Sequence, residues 1–292
     1  MKVAVVGATG VLGRALVPQL VTAGHEVHAL VRTPDTGRRY FGALAEVVEC
    51  DLLAPGIADR LPALLDDCAA VIHAATAIPP QAEMGKPEAW ERNTRLRIEG
   101  TTALVNASLK VGAKVYLQQS IVMAYPSMGD QWIREDVPFY TDGRTNMTVI
   151  QMEDLVRAVP TDKLRWSILR GGTFVGKDTF QDDTMADLRA GKRKIPCDGS
   201  SWLPLVHVED IAAALVAALD RAPAGSTYNI VDEPIRQRDY LSELAQVIGA
   251  PQPEYDPSVP CPPSQRCSSQ AAREALDWTP THGIIPKAVS NE

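Results

Sequence analysis

The stretch that most limits what this chain can fold into is Lys2 to Gly13, KVAVVGATGVLG. Lys2-Val3-Ala4-Val5-Val6 is a short β-branched, apolar run, the pattern of a strand buried on both faces. It stops at Gly7. Leu12, Leu16, Leu20 and Ala23 then recur at helical spacing, and Gly24 stands where a helix C-cap is expected. Glu26 to Val31 reads as a second strand, so the chain begins with a βαβ unit.

Each glycine of the turn has its own task. Gly7 permits the tight exit from the strand, Gly10 lets the backbone approach a pyrophosphate, and Gly13 lets the helix pack closely on the sheet. An anion then sits at the helix N-terminus, where free N–H groups and the dipole favour negative charge. The spacing is G-x-x-G-x-x-G, with Thr9 where the commoner dinucleotide fingerprint has its second glycine. Gly7, Thr9, Gly10, Val11, Leu12 and Gly13 are therefore expected to cradle a dinucleotide cofactor. An acidic residue at the end of the second strand would bind a ribose 2′-hydroxyl, whereas arginine accommodates a 2′-phosphate. This chain has Val31-Arg32-Thr33, with Arg38 and Arg39 soon after, Arg14 in the helix, and no carboxylate before Asp35. The expectation is NADP through Arg32, rather than NAD.

The rest of the chain bounds the setting. A length of 292 residues allows one large domain or two modest ones. A net charge of −7 without a basic block excludes a nucleic-acid partner, and no apolar run reaches the length of a membrane span. Five cysteines without a C-x-x-C pair read as reduced and cytoplasmic. His25 and His28, three apart along a strand, face opposite sides, and no metal site is expected.

A turn-rich Thr33-Pro34-Asp35 leads to a third strand at 45–50, a helix carrying Leu61, Leu64 and Leu65, and a fourth strand at 69–76 that ends in small residues. Residues 78–87 read as an irregular loop, and 88–111 as one long helix whose face carries Leu96, Gly100, Ala103 and Ala107. Strands five and six fall at 114–120 and 165–170. Between them the spacing predicts a helix over 148–158, started by a Thr148/Gln151 capping box. Six strands alternating with helices make an α/β fold, a doubly wound parallel-sheet Rossmann domain. From Gly171 the elements shorten, apart from a helix lined by Val208, Ile211, Leu215 and Leu219, a helix at 238–248, a loop with six prolines between Pro251 and Pro263, and a short helix around 271–276. Residues 1–170, with 201–225 returning to them, form the expected NAD(P)-binding domain. Residues 171–292 form a small C-terminal substrate-binding cap.

Several separate stretches resemble the extended short-chain dehydrogenase/reductase family of nucleotide-sugar epimerases, dehydratases and related reductases. Gly7 to Gly13 is similar to its cofactor motif. Asp51-Leu52 stands where the family contacts adenine, and Ala74-Ala75, with Thr76, resembles its small pair beside the cofactor. Asn93 with Gly100-Thr101 resembles its Asn…Gly-Thr helix. Leu169 to Gly176 resembles its Arg-Pro-Gly…Tyr-Gly turn, with Gly171 in place of proline. The resemblance implies cofactor contacts at Gly171, Gly172 and Thr173 as well. Trp202 to Asp210 resembles the Val-His-Val-x-Asp signature, in which the family's histidine, here His207, is mainly structural. The resemblance extends to Ser226–Ile230 and Leu276–Pro280, and implies a homodimer formed through the helices at 93–111 and 148–158.

The catalytic pattern of that family departs here. It uses a tyrosine as general acid/base, a lysine four residues later that depresses the phenol's pKa, and a nearby hydroxyl. If Glu153 matches the glutamate that follows them, the tyrosine position holds Thr145 and the lysine position Val149. Anchoring on Tyr125 puts Ile121 at the hydroxyl position, with Ser120 one residue early. Tyr140, four before Arg144, is either the acid/base or a pocket-lining or core tyrosine. Ser120 either bonds cofactor or substrate or is structural, and Tyr125 lines the substrate pocket or is an ordinary buried aromatic. Glu153 and Asp154 read as solvated helix surface. No G-x-S-x-G elbow supports a hydrolase. The expectation is an NADP-dependent oxidoreductase of a small carbonyl or hydroxyl substrate. The alternatives are a non-catalytic NADP sensor and a nucleotide-sugar epimerase or dehydratase.

Overall fold

The computed structural model describes residues 1–287, apart from the side chains of Gln81, Arg144 and Thr145. The chain divides into two units. The first takes in residues 1–120, 139–170 and 212–228, and the second takes in 121–138, 171–211 and the chain from Asn229 on.

The first unit is built on a seven-stranded sheet: β1 (Lys2–Val6), β2 (Glu26–Val31), β3 (Glu46–Glu49), β4 (Ala70–His73), β5 (Val115–Ile121), β6 (Arg165–Gly171) and β7 (Ser226–Ile230). Its order is β3-β2-β1-β4-β5-β6-β7, and β1 pairs in parallel with both β2 and β4. The parallel, doubly wound expectation stands, with one strand more than the six expected. The seventh, Ser226–Ile230, mixes polar residues into a short run and stands out in the sequence only as a motif. Strand order reverses between β1 and β4, and α/β sheets bind ligands outside the strand ends at such a switch point.

The helices are α1 (Val11–Thr22), α2 (Pro34–Phe41), α3 (Ile57–Leu64), α4 (Glu91–Arg95), α5 (Thr101–Val111), α6 (Arg144–Arg157), α7 (Phe180–Arg189), α8 (Val208–Arg221), α9 (Gln237–Val247) and α10 (Gln270–Leu276). Three differ from expectation. The turn expected at Thr33-Pro34-Asp35 opens α2: Pro34 suits the first helical turn, Asp35 lies in that turn, and Arg38 and Arg39 lie in the last. The long helix at 88–111 is interrupted by a π-turn over Leu96–Gly100. Thr148 does not cap α6. The helix starts at Arg144 behind Gly143, and Thr148 lies inside it, where its buried hydroxyl accepts a hydrogen bond from Arg97 at 3.0 Å. Burial lowers the Arg97 guanidinium to about 10.

One face of the sheet buries Ala4, Val6, Leu30, Val71 and Tyr116 together with Leu61, Leu65, Leu104 and Val105. The alternation along β1 and β2 follows from the period of two.

The second unit has its own core of Val175, Leu188, Ile195, Leu205, Tyr240, Leu241, Leu244 and Ala245, from short strands and helices α7 and α9. Asp210 gathers its C-terminal segment. The carboxylate accepts hydrogen bonds from the Thr281 and His282 N–H groups, and its backbone carbonyl accepts one from Trp278 Nε1. Cys197 and Cys261 are joined by a disulfide across 64 residues, so the expectation of wholly reduced cysteines is corrected. The pattern could not show this, because pairing depends on the Pro-rich loop folding back beside residues 195–197. Cys50, Cys68 and Cys267 are buried and outside any disulfide.

Candidate cofactor and active site

The glycine turn lies at the switch point. Gly7 has φ +87°, and a Cβ there would fall 2.6 Å from Ala75 Cα and 2.7 Å from Ala75 N. Gly13 is equally constrained, with the Gly7 and Ala8 carbonyl oxygens 2.4 and 2.3 Å from the position of a Cβ. Both glycines are demanded by the chain's own packing. Gly10 is different. It is exposed, forms the N-cap of α1 without a side-chain cap, and a Cβ would come only within 3.2 Å of Gly7 O. The first turn of α1 carries no acidic residue. An exposed helix N-terminus without a side-chain cap or an acid, reached over a bare glycine, fits a pyrophosphate.

At the end of β2, Arg32 is exposed and, among the described residues, has no side-chain partner. Its basic neighbours are engaged. Arg14 donates to the Tyr40 hydroxyl at 3.0 Å and lies 5.0 Å from that ring's centroid, Arg38 pairs with Asp35, and Arg39 bonds Thr36. Tyr40 was not singled out in the sequence, because the helix that carries it read as a turn.

Asp51 accepts from Leu53 N–H at 3.1 Å and from Arg92 at 3.2 Å, and Leu52 is buried. Ala74 is buried at the end of β4, and Thr76 is exposed beyond it. Asn93 is buried, and its Oδ1 accepts from Ala77 N–H at 2.9 Å, which pins the chain leaving β4. Ala74 and Ala75 close on Gly7 directly, and the others lie in the same unit. Gly171, Gly172 and Thr173 lie in the second unit, where the backbone is closely packed. A Cβ on Gly171 would meet Ile211 at 2.5 Å, one on Gly172 would meet the Pro204 carbonyl oxygen at 2.3 Å, and Thr173 N–H donates to that same oxygen.

Ser120 ends the buried part of β5, and its hydroxyl donates to Glu153 Oε1 at 2.6 Å. Arg170 donates to both Glu153 oxygens, at 3.0 and 2.7 Å, and Arg157 adds a contact at 2.7 Å. Glu153 is fully buried, so its reading as solvated helix surface is corrected. Val149, Met152, Glu153 and Val156 are all buried at i, i+3, i+4 and i+7 along α6. The helical period therefore places the carboxylate in the core, with two arginines against its charge. Val149, which falls at the family's lysine position if Glu153 matches the family's glutamate, is fully buried too.

Tyr140 is half exposed and donates to Asp142 Oδ2 at 2.7 Å. That hydrogen bond, and then the carboxylate's charge, raise its phenol above the ordinary value, the reverse of what a lysine neighbour would do. The Arg144 and Thr145 side chains of the expected pattern lie outside the described residues. Tyr125, in the second unit, is buried and donates to Asn229 Oδ1 at 2.9 Å, while Gln265 bonds its carbonyl. His207 stacks on His282, with ring centroids 4.8 Å apart, and its Nδ1 accepts from Glu209 N–H. Burial, then the neighbouring His282, lower its pKa.

The sequence profile of the NAD dependent epimerase/dehydratase family matches residues 3–231. The chain belongs to that family. Its reach takes in the whole of the seven-stranded sheet but for one residue at the start. The 3-diazoavenalumate denitrifying reductase of a Streptomyces species is 32% identical over 304 residues, covering 97% of each chain. The ceramide reductase of Caulobacter vibrioides is 30% identical, over 85% of this chain and 71% of its own. Among solved structures, the UDP-glucuronic acid 4-epimerase of Bacillus cereus, in complex with UDP-glucuronic acid and NAD, superposes with a TM-score of 0.81. It is 21% identical, with 97% of this chain and 95% of that one covered, a likeness of fold. This family member is an NAD(P)-dependent oxidoreductase or epimerase-like enzyme. No helix among the described residues is long and apolar enough to cross a membrane.

Proposed function

We propose that the chain is an NADPH-dependent reductase whose hydride acceptor needs no proton from a tyrosine–lysine pair, and that the acceptor is a diazonium compound. The observation that carries this reading is the coexistence of a complete glycine turn with a catalytic helix that lacks the pair. Val149 sits in the core at the lysine position, and Tyr140 is bonded to a carboxylate.

Gly7, Thr9, Gly10, Val11, Leu12 and Gly13 would hold the pyrophosphate, Asp51, Leu52, Ala74, Ala75 and Thr76 the adenosine side, and Arg32 the 2′-phosphate. The bound cofactor supplies a hydride. An acceptor carbonyl would also need a proton on oxygen, which a positioned acid ordinarily provides. A diazonium carbon does not: the carbon–nitrogen bond breaks as the carbon–hydrogen bond forms, dinitrogen leaves with the bonding pair, and no proton is taken from the protein. The similarity to a denitrifying reductase over nearly the whole of both chains supports this acceptor class. Asn93 fixes the loop after β4, and the second unit carries substrate selection.

The test has two arms. Calorimetry is expected to show NADP binding that falls at least about tenfold in Arg32→Ala with NAD nearly unchanged, the loss of one charge-assisted contact. NADPH consumption is then followed with an arenediazonium carboxylate, with dinitrogen release measured, and with a carbonyl panel. Diazonium turnover that survives in Tyr140→Phe and Ser120→Ala supports the reading. Carbonyl reduction abolished in Tyr140→Phe would return the acid/base role to that residue, and cofactor binding without turnover of either class would remove the reductase assignment.

A further inference from the structure

Away from the glycine turn, the strand register assembles a cluster that the βαβ reading does not use. Glu26 and His28 are two apart on β2 and so project from the same face. His28 is the register partner of Glu46 on β3. Parallel pairing therefore brings one imidazole and two carboxylates together at the N-terminal ends of adjacent strands, while Gly7 lies beyond the C-terminal end of β1. The spacing of His25 and His28 gives no sign of it, because the partners of His28 are carboxylates and one of them is on another strand.

We propose that Glu26, His28 and Glu46 form a binding site for a divalent transition-metal ion of the zinc class. One ligand atom from each lies within 4.8 Å of the other two. His28 Nε2 is 2.8 Å from Glu46 Oε2 and 3.8 Å from Glu26 Oε1. The His28 side chain is 8% exposed, the carboxylates 65% and 69%. Both ring nitrogens are buried without a directed hydrogen bond. A buried imidazole in that condition is costly, and its Nε2 lies beside the two acids without being aligned as a donor to either. Zinc takes nitrogen and carboxylate oxygen at about 2.0–2.2 Å, which sets tetrahedral ligand atoms roughly 3.3 Å apart. The exposed carboxylates need only side-chain rotation to reach that spacing, and water completes the shell. Imidazole with carboxylate favours zinc, nickel or cobalt over magnesium, which prefers oxygen alone. Lys2 faces Glu26 across β1, but its ammonium is turned to the Asp66 carbonyl oxygen at 3.5 Å. An ion held here would tie the short edge strand β3 to β2.

Zinc chloride titrated calorimetrically into the metal-free full chain is expected to bind one ion per chain. Cobalt(II) is expected to develop the visible absorption of a low-symmetry nitrogen–oxygen site. His28→Asn and Glu46→Gln should each weaken zinc binding by more than about tenfold, since even an outer-shell partner is worth that much. Glu46→Gln changes an exposed side chain and keeps the test valid if His28→Asn fails to fold. NADP affinity, read in parallel, should stay constant in Glu46→Gln. Zinc binding unchanged in Glu46→Gln, or lost instead in His25→Ala, whose Nδ1 lies 3.5 Å from the N-terminal amine, would overturn the site. So would the absence of binding to the wild-type chain, which would leave His28 and Glu46 as an ion pair only.

Discussion

Alanine at Gly7 would have to hold φ near +87° with its methyl 2.6 Å from the Ala75 backbone, whereas alanine at Gly10 keeps φ −70° and meets only Gly7 O at 3.2 Å. Left-handed strain and a backbone clash together cost at least about 2 kcal/mol. Gly7→Ala is therefore expected to lower stability by that much or more in urea titration. Gly10→Ala should stay within about 0.5 kcal/mol and lose cofactor affinity instead, because its methyl enters the space kept for the pyrophosphate. Equal stability losses would show that Gly10 serves packing alone. A second residue-scale effect comes from His73, buried at the end of β4 with Nδ1 3.1 Å from Gln118 Oε1 and Nε2 without a partner. Burial lowers its pKa from 6.5 to about 4. Between those values the unfolded chain binds the proton and the folded chain does not, so stability falls as pH drops through this window. The full effect is about 3 kcal/mol. Urea midpoints at about pH 7 and about pH 4.5 should converge in His73→Phe relative to wild type, and an unchanged acid slope would contradict the assignment.

The Glu153 cluster acts at the scale of elements, because its partners come from three of them. Ser120 is on β5, Arg170 on β6, and Glu153 and Arg157 on α6. Glu153→Ala leaves Arg170, itself 5% exposed, facing a cavity without its carboxylate. Breaking a buried pair from one side costs about 3–5 kcal/mol, and thermal unfolding of the variant should show a loss of that order. Replacement of Glu153 and Arg170 together by apolar residues should cost less. The βαβ opening was legible because one apolar run, three glycines and one helical stripe agree on it. The cluster was less so. Adjacent acids look like surface until Val149, Met152 and Val156 are laid on the same helical face, and the partner arginine lies 17 residues away on a strand. The α2 helix was hidden because Thr-Pro-Asp is both turn and helix-start chemistry. At Gly171 and Gly172 packing alone is enough to require glycine, because Ile211 and Pro204 O occupy the place of a Cβ, and the motif carries the expected cofactor contact separately.

At the scale of the whole molecule, covalent constraint and thiol burial are unevenly shared between the two units. The Cys197–Cys261 bond closes a 64-residue separation inside the second unit, while Cys50 and Cys68 are buried in the first. Burial raises both of those thiols to about 11, so at neutral pH the thiolate that would react is scarce as well as covered. In the chain-entropy account, a closed loop of this size restricts the unfolded ensemble by about 4 kcal/mol. Alkylation of the native chain should therefore label no cysteine rapidly without reductant. After mild reduction it should label Cys197 and Cys261, while Cys50, Cys68 and Cys267 wait for unfolding. Reduction should also lower the unfolding midpoint of the second unit without altering NADP affinity, because the glycine turn and Arg32 lie in the first. Rapid labelling of Cys197 or Cys261 before any reductant is added would show that the bond is open in solution. A midpoint unmoved by reduction would mean that the Pro-rich loop holds its place through its hydrogen bonds and packing alone.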